Sequence, residues 1–299
     1  MEYTEPPLTL KEQTEQLLSR GLKTDRDQLI LCLKNVSYYR LSAYRYPFRI
    51  TGGNCFQEKA ILDLIWKHYT FDRQLRLFVM DVIERVEVAV RTQLTCHFSH
   101  RYGAFGYTDR TNLLKLNKRE FQKWLANMKR DVIRSRETFL DRFDKKYGDC
   151  HKLPPLWMFC EVMTFGKMLT LFNGVDDELR RIIAYEYSVR DAVLQSWLGA
   201  LNIVRNICAH HGRLWNRRLG YKPMIPRPNK FPQWHKPVEI SNNRPFAILT
   251  ILEYMRKKVT PTRGRRGRLK DLFARYPEIP MRLMGFPENW EESPIWKQE

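Results

Sequence analysis

The sequence is short of acidic residues and lacks paired cysteines. Its 299 residues contain 33 Asp and Glu against 52 Lys and Arg, a formal net charge of +19. This excess favours polyanionic partners such as nucleic acid. The 6 cysteines are scattered without a C-x-x-C pair, which indicates reduced thiols rather than a disulfide framework. With 43% apolar residues the chain can build a core, so composition excludes the disordered class.

Long uncharged apolar runs are also missing. The most apolar stretch, from Pro155 to Phe172, is interrupted by Glu161 and Lys167. It therefore predicts a buried helix rather than a membrane span. The first ten residues carry acidic residues and prolines where a secretion signal needs basic residues and then an apolar run. We expect a cytoplasmic protein that has no membrane partner.

Apolar residues recur at helical spacing along most of the chain. The clearest pattern lies between Ala60 and His100 and predicts one long amphipathic helix; its expected core positions are Leu75, Val79, Val82, Val86, Ala89 and Gln93. Further helices are predicted within 10–33, 118–143, 155–173, 177–187, 188–211 and 246–255, and Thr24-Asp25 can cap a helix in the first of these ranges. No segment alternates convincingly in the manner of a strand, so the predicted fold class is all-α.

A polar cluster interrupts the apolar pattern between 201 and 217. On a helix, Asn202, Asn206, His210 and Arg213 share one stripe, and Arg205 lies about 140° around from His210. Gly212 fits the end of this helix. Histidine and arginine are also favoured in a last helical turn by the helix dipole and by free carbonyls. The sequence therefore leaves two interpretations of this cluster open, a purely structural role and a catalytic role.

Metal binding is the main alternative function for this cluster. Cys208, His210 and His211 offer a thiolate and two imidazoles. They are too few for a closed zinc site, and no second ligand pair stands at zinc-like spacing. The sequence therefore predicts no metal and no cofactor.

Several ordered motifs carry a family resemblance. The pattern Arg205-Asn206-x-x-x-His210 resembles the signature of HEPN-superfamily ribonucleases, and the block from 205 to 217 resembles that of Abi-like proteins of the AbiD/AbiF type. Further blocks agree in the same order, and together they span residues 38–217: Tyr39 to Tyr44, Phe71 to Arg76, Asp81 to Val88, Leu156 to Met158, and Phe165-Gly166.

The resemblance implies a fold and a division of the chain. The expected fold is an all-α, HEPN-like helical bundle with additional N-terminal helices and a basic C-terminal extension. The expected segments are 1–57 with an aromatic and arginine-rich block, 58–221 as the HEPN-like core, and 222–299 as a proline-rich loop followed by the basic extension.

The resemblance also implies a function. An abortive-infection protein of antiviral defence is expected, and its expected partners are a small structured RNA and a second copy of the chain in a homodimer. In a metal-independent endoribonuclease His210 would move protons, Arg205 would stabilise phosphoryl charge and Asn206 would orient them. The alternative is a non-catalytic RNA-binding protein that acts as a ribonucleoprotein, with a structural His210 cluster.

Arginines and aromatic side chains outside the cluster are candidate RNA contacts. Tyrosines at these spacings are also common in helix cores, so packing is the competing interpretation. The basic run 256–275 holds nine Lys or Arg against one Asp, and we expect it to contact phosphates. The candidate RNA-binding residues are Tyr39, Arg40, Tyr44, Arg45, Arg213, Arg217, Arg263, Arg265, Arg266 and Arg268.

Overall fold

The chain is helical throughout the part that the structure describes. The computed structural model describes residues 2, 4, 6–259 and 268–297. Within these ranges it has 12 α-helices, no strand and 65% helical content, which confirms the predicted all-α class. The helices are α1 (Leu10–Ser19), α2 (Arg26–Val36), α3 (Tyr38–Arg45), α4 (Leu62–Tyr102), α5 (Lys118–Arg134), α6 (Thr138–Tyr147), α7 (Leu156–Phe159), α8 (Phe165–Gly174), α9 (Asp177–Glu186), α10 (Asp191–Ala209), α11 (Pro245–Val259) and α12 (Arg268–Arg275).

Two compact units are present. Unit 1 comprises 1–78, 213–215 and 266–280, and unit 2 comprises 79–212, 216–265 and 281–299. These units do not coincide with the three segments predicted from the sequence. The reason is that α4 runs without a break through both units, while short pieces of the later chain join the N-terminal helices.

Unit 1 is built from α1, α2, α3, the first part of α4 and α12. Asp25 caps α2 by accepting a hydrogen bond from the backbone N–H of Gln28, in agreement with the sequence. Helix α12 was not predicted. It buries Leu269 and Leu272, and Phe273 stacks on Phe71 with ring centroids 6.0 Å apart. Part of the basic extension therefore packs into the core of unit 1.

The long helix α4 confirms the periodicity found in the sequence, and Leu75, Val79, Val82 and Val86 are buried as predicted. The buried face departs from the prediction only at its last two positions. Val90 and Leu94 are buried, whereas the predicted Ala89 and Gln93 are only half-buried. Burial of valine and leucine removes more apolar surface from water than burial of alanine or glutamine. The helix face that carries Val90 and Leu94 is therefore the one that packs into the core.

Two predicted helices are broken in the structure. The segment predicted as one helix over 118–143 forms α5 and α6, separated by extended backbone at Ser135 and Glu137. The segment predicted over 155–173 forms α7, a 3-10 turn at Cys160–Val162 and then α8. Met163 and Thr164 are extended at this break, which leaves the Met163 carbonyl outside the helical ladder.

Helix α10 is the central helix of unit 2 and packs against α8, α9 and α11. Leu194, Trp197, Leu201 and Val204 are buried along one side of it. The Trp197 indole N–H donates a hydrogen bond of 2.8 Å to the Met224 carbonyl, which satisfies the polar atom of a buried ring. No helix in the described ranges has the length and hydropathy that a membrane span requires.

Candidate active site at the end of helix α10

Asn206 and His210 are exposed at the end of α10, and Arg205 lies between them and the buried side of the helix. Val204 and Cys208 are buried, whereas Arg205 is half-buried and both Asn206 and His210 are exposed. The Arg205 guanidinium donates a hydrogen bond of 3.3 Å to Asn206 Oδ1. Helical geometry separates Arg205 from His210 by about 7.5 Å along the axis. The three residues thus offer a guanidinium, an amide and an imidazole at one accessible helix end.

The end of α10 differs from the predicted cap. The helix stops at Ala209, and His210 is the C-cap residue with φ −88° and ψ 16°. His211 N–H bonds the Cys208 carbonyl at 3.0 Å, and Gly212 N–H bonds the Ile207 carbonyl at 2.7 Å. This pair of bonds is the Schellman motif, and His211 takes its left-handed position with φ 58°.

Two sequence predictions about this end are therefore wrong. Gly212 does not occupy the left-handed position, because the helix stops earlier than predicted and His211 reaches that position first. Arg213 lies beyond the helix and cannot extend the stripe of Asn202, Asn206 and His210. Its guanidinium instead donates a hydrogen bond of 2.6 Å to the Ala43 carbonyl within unit 1.

A half-buried carboxylate from α4 interacts electrostatically with Arg205. The Glu87 side chain is 13% exposed and pairs with Arg91 at 2.5 Å. Burial raises the pKa of the Glu87 carboxyl above its ordinary value, while the charges of Arg91 and then of Arg205 oppose that rise. The influence of Glu87 on Arg205 was missed, since the two residues are far apart in sequence.

Asn202 packs towards α8 rather than into solvent. A Cβ atom placed on Gly166 would lie 3.7 Å from Asn202 Oδ1 and 3.8 Å from its Nδ2. An added Cβ would make only an ordinary van der Waals contact, so the Asn202 amide lies close to the Gly166 position of α8. Asn202 is half-buried, and only Asn206 and His210 of the predicted stripe are exposed.

The aromatic and arginine-rich block of α3 separates into an exposed and a buried side. Tyr39 is exposed and Arg40 is half-buried, so both keep accessible surface. Tyr44 and Arg45 are buried, which contradicts their predicted contact with RNA. The physical reason is amphipathicity: Tyr44 follows the buried Leu41 by three residues, and its face packs inward.

Tyr44 and its neighbours surround a buried carboxylate in unit 1. The Tyr44 hydroxyl donates to Asp72 at 2.5 Å, and Arg76 also donates to Asp72. Asp72 further accepts the backbone N–H groups of Leu214 at 3.0 Å and Trp215 at 2.6 Å. Burial raises the pKa of the Asp72 carboxyl, and Arg76 leads the interactions that oppose this rise. Three of the sequence blocks therefore meet at one side chain.

The remaining candidate RNA contacts are spread over the chain. Arg217 is half-buried, and Arg268 is exposed at the start of α12. Arg263, Arg265 and Arg266 lie outside the described residues.

The donor atoms considered for metal binding do not share a surface. Cys208 is buried, whereas His210 and His211 are exposed. Across the described ranges, no group of three or more His, Cys, Asp or Glu side chains is arranged to hold a metal ion.

The fold and the site define an all-helical protein with an accessible Arg-Asn and His group at the end of a central helix. The profile of the Abi-like protein family matches residues 31–216, a range that includes this group, and the chain belongs to that family. Membership suggests a role in abortive-infection defence. Comparisons with curated proteins and with solved structures gave no significant match.

Proposed function

We propose that this Abi-like protein binds RNA and cleaves it without a metal ion, as an endoribonuclease of the HEPN type. A small structured RNA would control the activity, and a second copy of the chain would complete the cleft. The observation that carries the proposal is the exposure of Asn206 and His210 beside Arg205, at the end of a helix whose other face is core.

The chemistry of RNA cleavage matches these side chains. A base removes the proton of a 2′-hydroxyl, the oxygen attacks the adjacent phosphorus, the 5′-oxygen leaves with a proton, and charge develops on the phosphoryl oxygens. Imidazole exchanges protons near neutral pH, a role that contributes about 10²- to 10⁴-fold in rate. A guanidinium can bind two phosphoryl oxygens at once. His210 therefore serves the proton transfer and Arg205 the developing charge.

Asn206 has a positioning role in this scheme. Its Oδ1 accepts the Arg205 hydrogen bond, so the amide restricts the directions in which the guanidinium can point. Glu87 supplies a negative charge that also acts on Arg205. A guanidinium restrained in this way loses less side-chain entropy when it binds a phosphate.

The deciding experiment is RNA cleavage in excess EDTA by the parent protein and by His210→Ala. We expect the parent to cleave and His210→Ala to lose at least about 100-fold in rate while retaining RNA affinity. His211→Gly is the matched control, because it removes the neighbouring imidazole and keeps the left-handed backbone. Full cleavage by His210→Ala would contradict the proposal.

Arg205→Lys provides a second arm of the same experiment. Lysine keeps the charge but lacks the planar fork of the guanidinium, so we expect its rate to fall nearly as far as that of Arg205→Ala. A lysine variant with most of the parent rate would show that only general positive charge is needed. RNA binding without cleavage by the parent would favour the non-catalytic ribonucleoprotein.

A further inference from the structure

A groove in unit 2 runs between α4 and the region of α7. Its volume is about 460 Å³. Arg91, Thr95 and Ser99 line it from α4, and Trp157 and Glu161 line it from the opposite side. None of these residues belongs to the Arg205, Asn206 and His210 group, so the groove is a separate feature of the surface.

Trp157 is unusual among the tryptophans of the chain. It is 50% exposed, although its neighbours Leu156 and Phe159 on α7 are fully buried. All 8 tryptophans lie within the described residues, and the others are buried or half-buried. The exposed Trp157 ring lies in the lining of the groove, so it is accessible to a ligand there.

The two walls of the groove are fastened to each other. Thr95 Oγ1 donates a hydrogen bond of 2.9 Å to Cys160 Sγ, and Arg91 donates one of 2.9 Å to the Met163 carbonyl. The backbone N–H of Leu156 also bonds the Ala104 carbonyl at 2.9 Å. These hydrogen bonds hold the backbone around Trp157 in place before a ligand binds. Binding therefore costs little free energy for ordering this side of the groove.

Two polar atoms of the lining residues lack a partner within the protein. Ser99 Oγ and Arg91 Nε are both buried and make no hydrogen bond. An unpaired buried polar atom costs about 1 to 3 kcal/mol. A ligand with a flat apolar face and hydrogen-bonding atoms at its edge would satisfy both the ring and these atoms. A nucleobase has this combination, whereas an aliphatic side chain lacks the polar edge.

One residue of the groove is linked by charge to the candidate active site. Arg91 pairs with Glu87, which lies one helical turn earlier on α4 and acts electrostatically on Arg205. An RNA strand whose phosphate is held by Arg205 could therefore place a neighbouring base in the groove. The chain charge of +19 favours the same polyanionic ligand.

We propose that this groove is a nucleobase subsite, in which one unpaired RNA base stacks on Trp157 and its edge is hydrogen-bonded by Ser99 and Arg91. The proposal rests on the proposed function, since it assigns a base-binding role to a surface linked by charge to the cleavage site. It predicts that single-stranded RNA is bound in preference to a fully paired duplex, whose bases are already stacked on one another.

The test measures the affinity of a short fluorescent single-stranded RNA by anisotropy, with 2′-O-methyl groups in the RNA so that no variant can cleave it. Trp157→Ala should weaken binding by about 5- to 150-fold, the usual contribution of one stacked base. Trp157→Phe should recover much of the loss, because it retains a stacking surface. Tyr147→Ala is the matched control, since Tyr147 is 43% exposed and lies outside the groove lining.

Ser99→Ala gives a readout that a purely structural role would not produce. Removal of an unpaired buried hydroxyl should raise the melting temperature of the free protein. The same change should weaken RNA binding by about 2- to 12-fold, because the ligand loses a hydrogen bond. If Ser99→Ala melts at a higher temperature than the parent and still binds RNA more weakly, unfolding cannot explain the weaker binding.

The outcomes separate the subsite from the proposed cleavage site. Unchanged affinity in Trp157→Ala, or an equal loss in Tyr147→Ala, would overturn the subsite while the His210 result stands on its own. Selective loss in Trp157→Ala would support the subsite even if the His210→Ala protein cleaved RNA at the parent rate. Absence of RNA binding by the parent protein would overturn both proposals.

Discussion

His68 shows how a single buried residue makes stability depend on pH. It is 3% exposed, its Nδ1 lies 2.8 Å from the Leu64 carbonyl, and its ring packs against Phe48 and Trp215. Burial lowers the pKa of the imidazole below its ordinary value, while the Leu64 carbonyl and the charge of Glu278 oppose that shift. The neutral imidazole is therefore the form that fits the folded protein.

We predict that acid destabilises the protein through His68. Below the ordinary histidine pKa of about 6.5 the unfolded chain binds a proton more readily than the folded protein, so the free energy of unfolding falls as the pH is lowered. The contribution of one group cannot exceed about 1.4 kcal/mol per pH unit. Urea unfolding of the parent and of His68→Phe, measured between pH 5 and pH 7, checks the prediction.

The His68→Phe variant provides the comparison because phenylalanine keeps an aromatic ring but cannot titrate. The stability difference between parent and variant should shift in favour of the variant as the pH falls. A difference that stays constant over this range would show that His68 is not the group responsible.

At the scale of the element, the Schellman end of α10 sets the backbone that carries His210. The two closing hydrogen bonds require a left-handed residue at position 211, and a side chain with a Cβ is strained there. Histidine tolerates this conformation better than most residues. A left-handed residue at this position is common at helix ends, so the helix cap alone explains the His211 backbone.

We predict that His211→Gly is more stable than His211→Ala by about 1 kcal/mol. Both variants lose the imidazole and whatever contacts it makes, but only glycine adopts φ 58° without a steric penalty. The difference between the two variants thus isolates the backbone cost. Chemical denaturation of both proteins measures it, and equal stabilities would mean that the helix end rearranges when the histidine is removed.

At the scale of the whole molecule, the positive charge should govern RNA affinity. Basic residues are distributed widely along the chain, and the described part already contains exposed ones on α5 and α12. Each phosphate contact releases counterions, so affinity falls with added salt in proportion to the number of phosphates bound. Variants of equal net charge can separate direct contacts between arginines and phosphates from the general electrostatic attraction of RNA to the protein.

We predict that replacement of Arg263, Arg265 and Arg266 by glutamine flattens the plot of log affinity against log salt. The slope should fall by up to about two units for single-stranded RNA, or about 0.7 for each phosphate that the variant no longer neutralises. The choice of RNA and cleavage at saturating RNA should not change.

The matched control replaces three exposed residues of α5, Lys118, Arg119 and Lys123, by glutamine. Each triple variant removes three positive charges and lowers the formal net charge from +19 to +16. Equal slopes in the two triple variants would show that only the overall charge matters, and would contradict a direct phosphate contact by the basic extension.

The sequence alone determined features that depend on local spacing. The all-α class, the extent of α4 and the Asp25 cap follow from apolar periodicity and from side-chain bonds over a few residues. The same local pattern placed Arg205, Asn206 and His210 near the end of one helix, and the structure agrees on that placement. Spacing also led to errors, one of which concerns this helix end: the predicted helix runs to His211 with Gly212 as its cap, whereas α10 ends at Ala209.

Only the tertiary structure decided which of these residues are accessible and which partners they have. It placed Tyr44 on the buried Asp72, brought Glu87 within range of Arg205, and left Trp157 exposed beside buried neighbours. The physical reason is that burial and charge depend on contacts between residues far apart in the chain. Helical periodicity predicts that one face of a helix is buried. Contacts with the neighbouring helices determine which residues form that face.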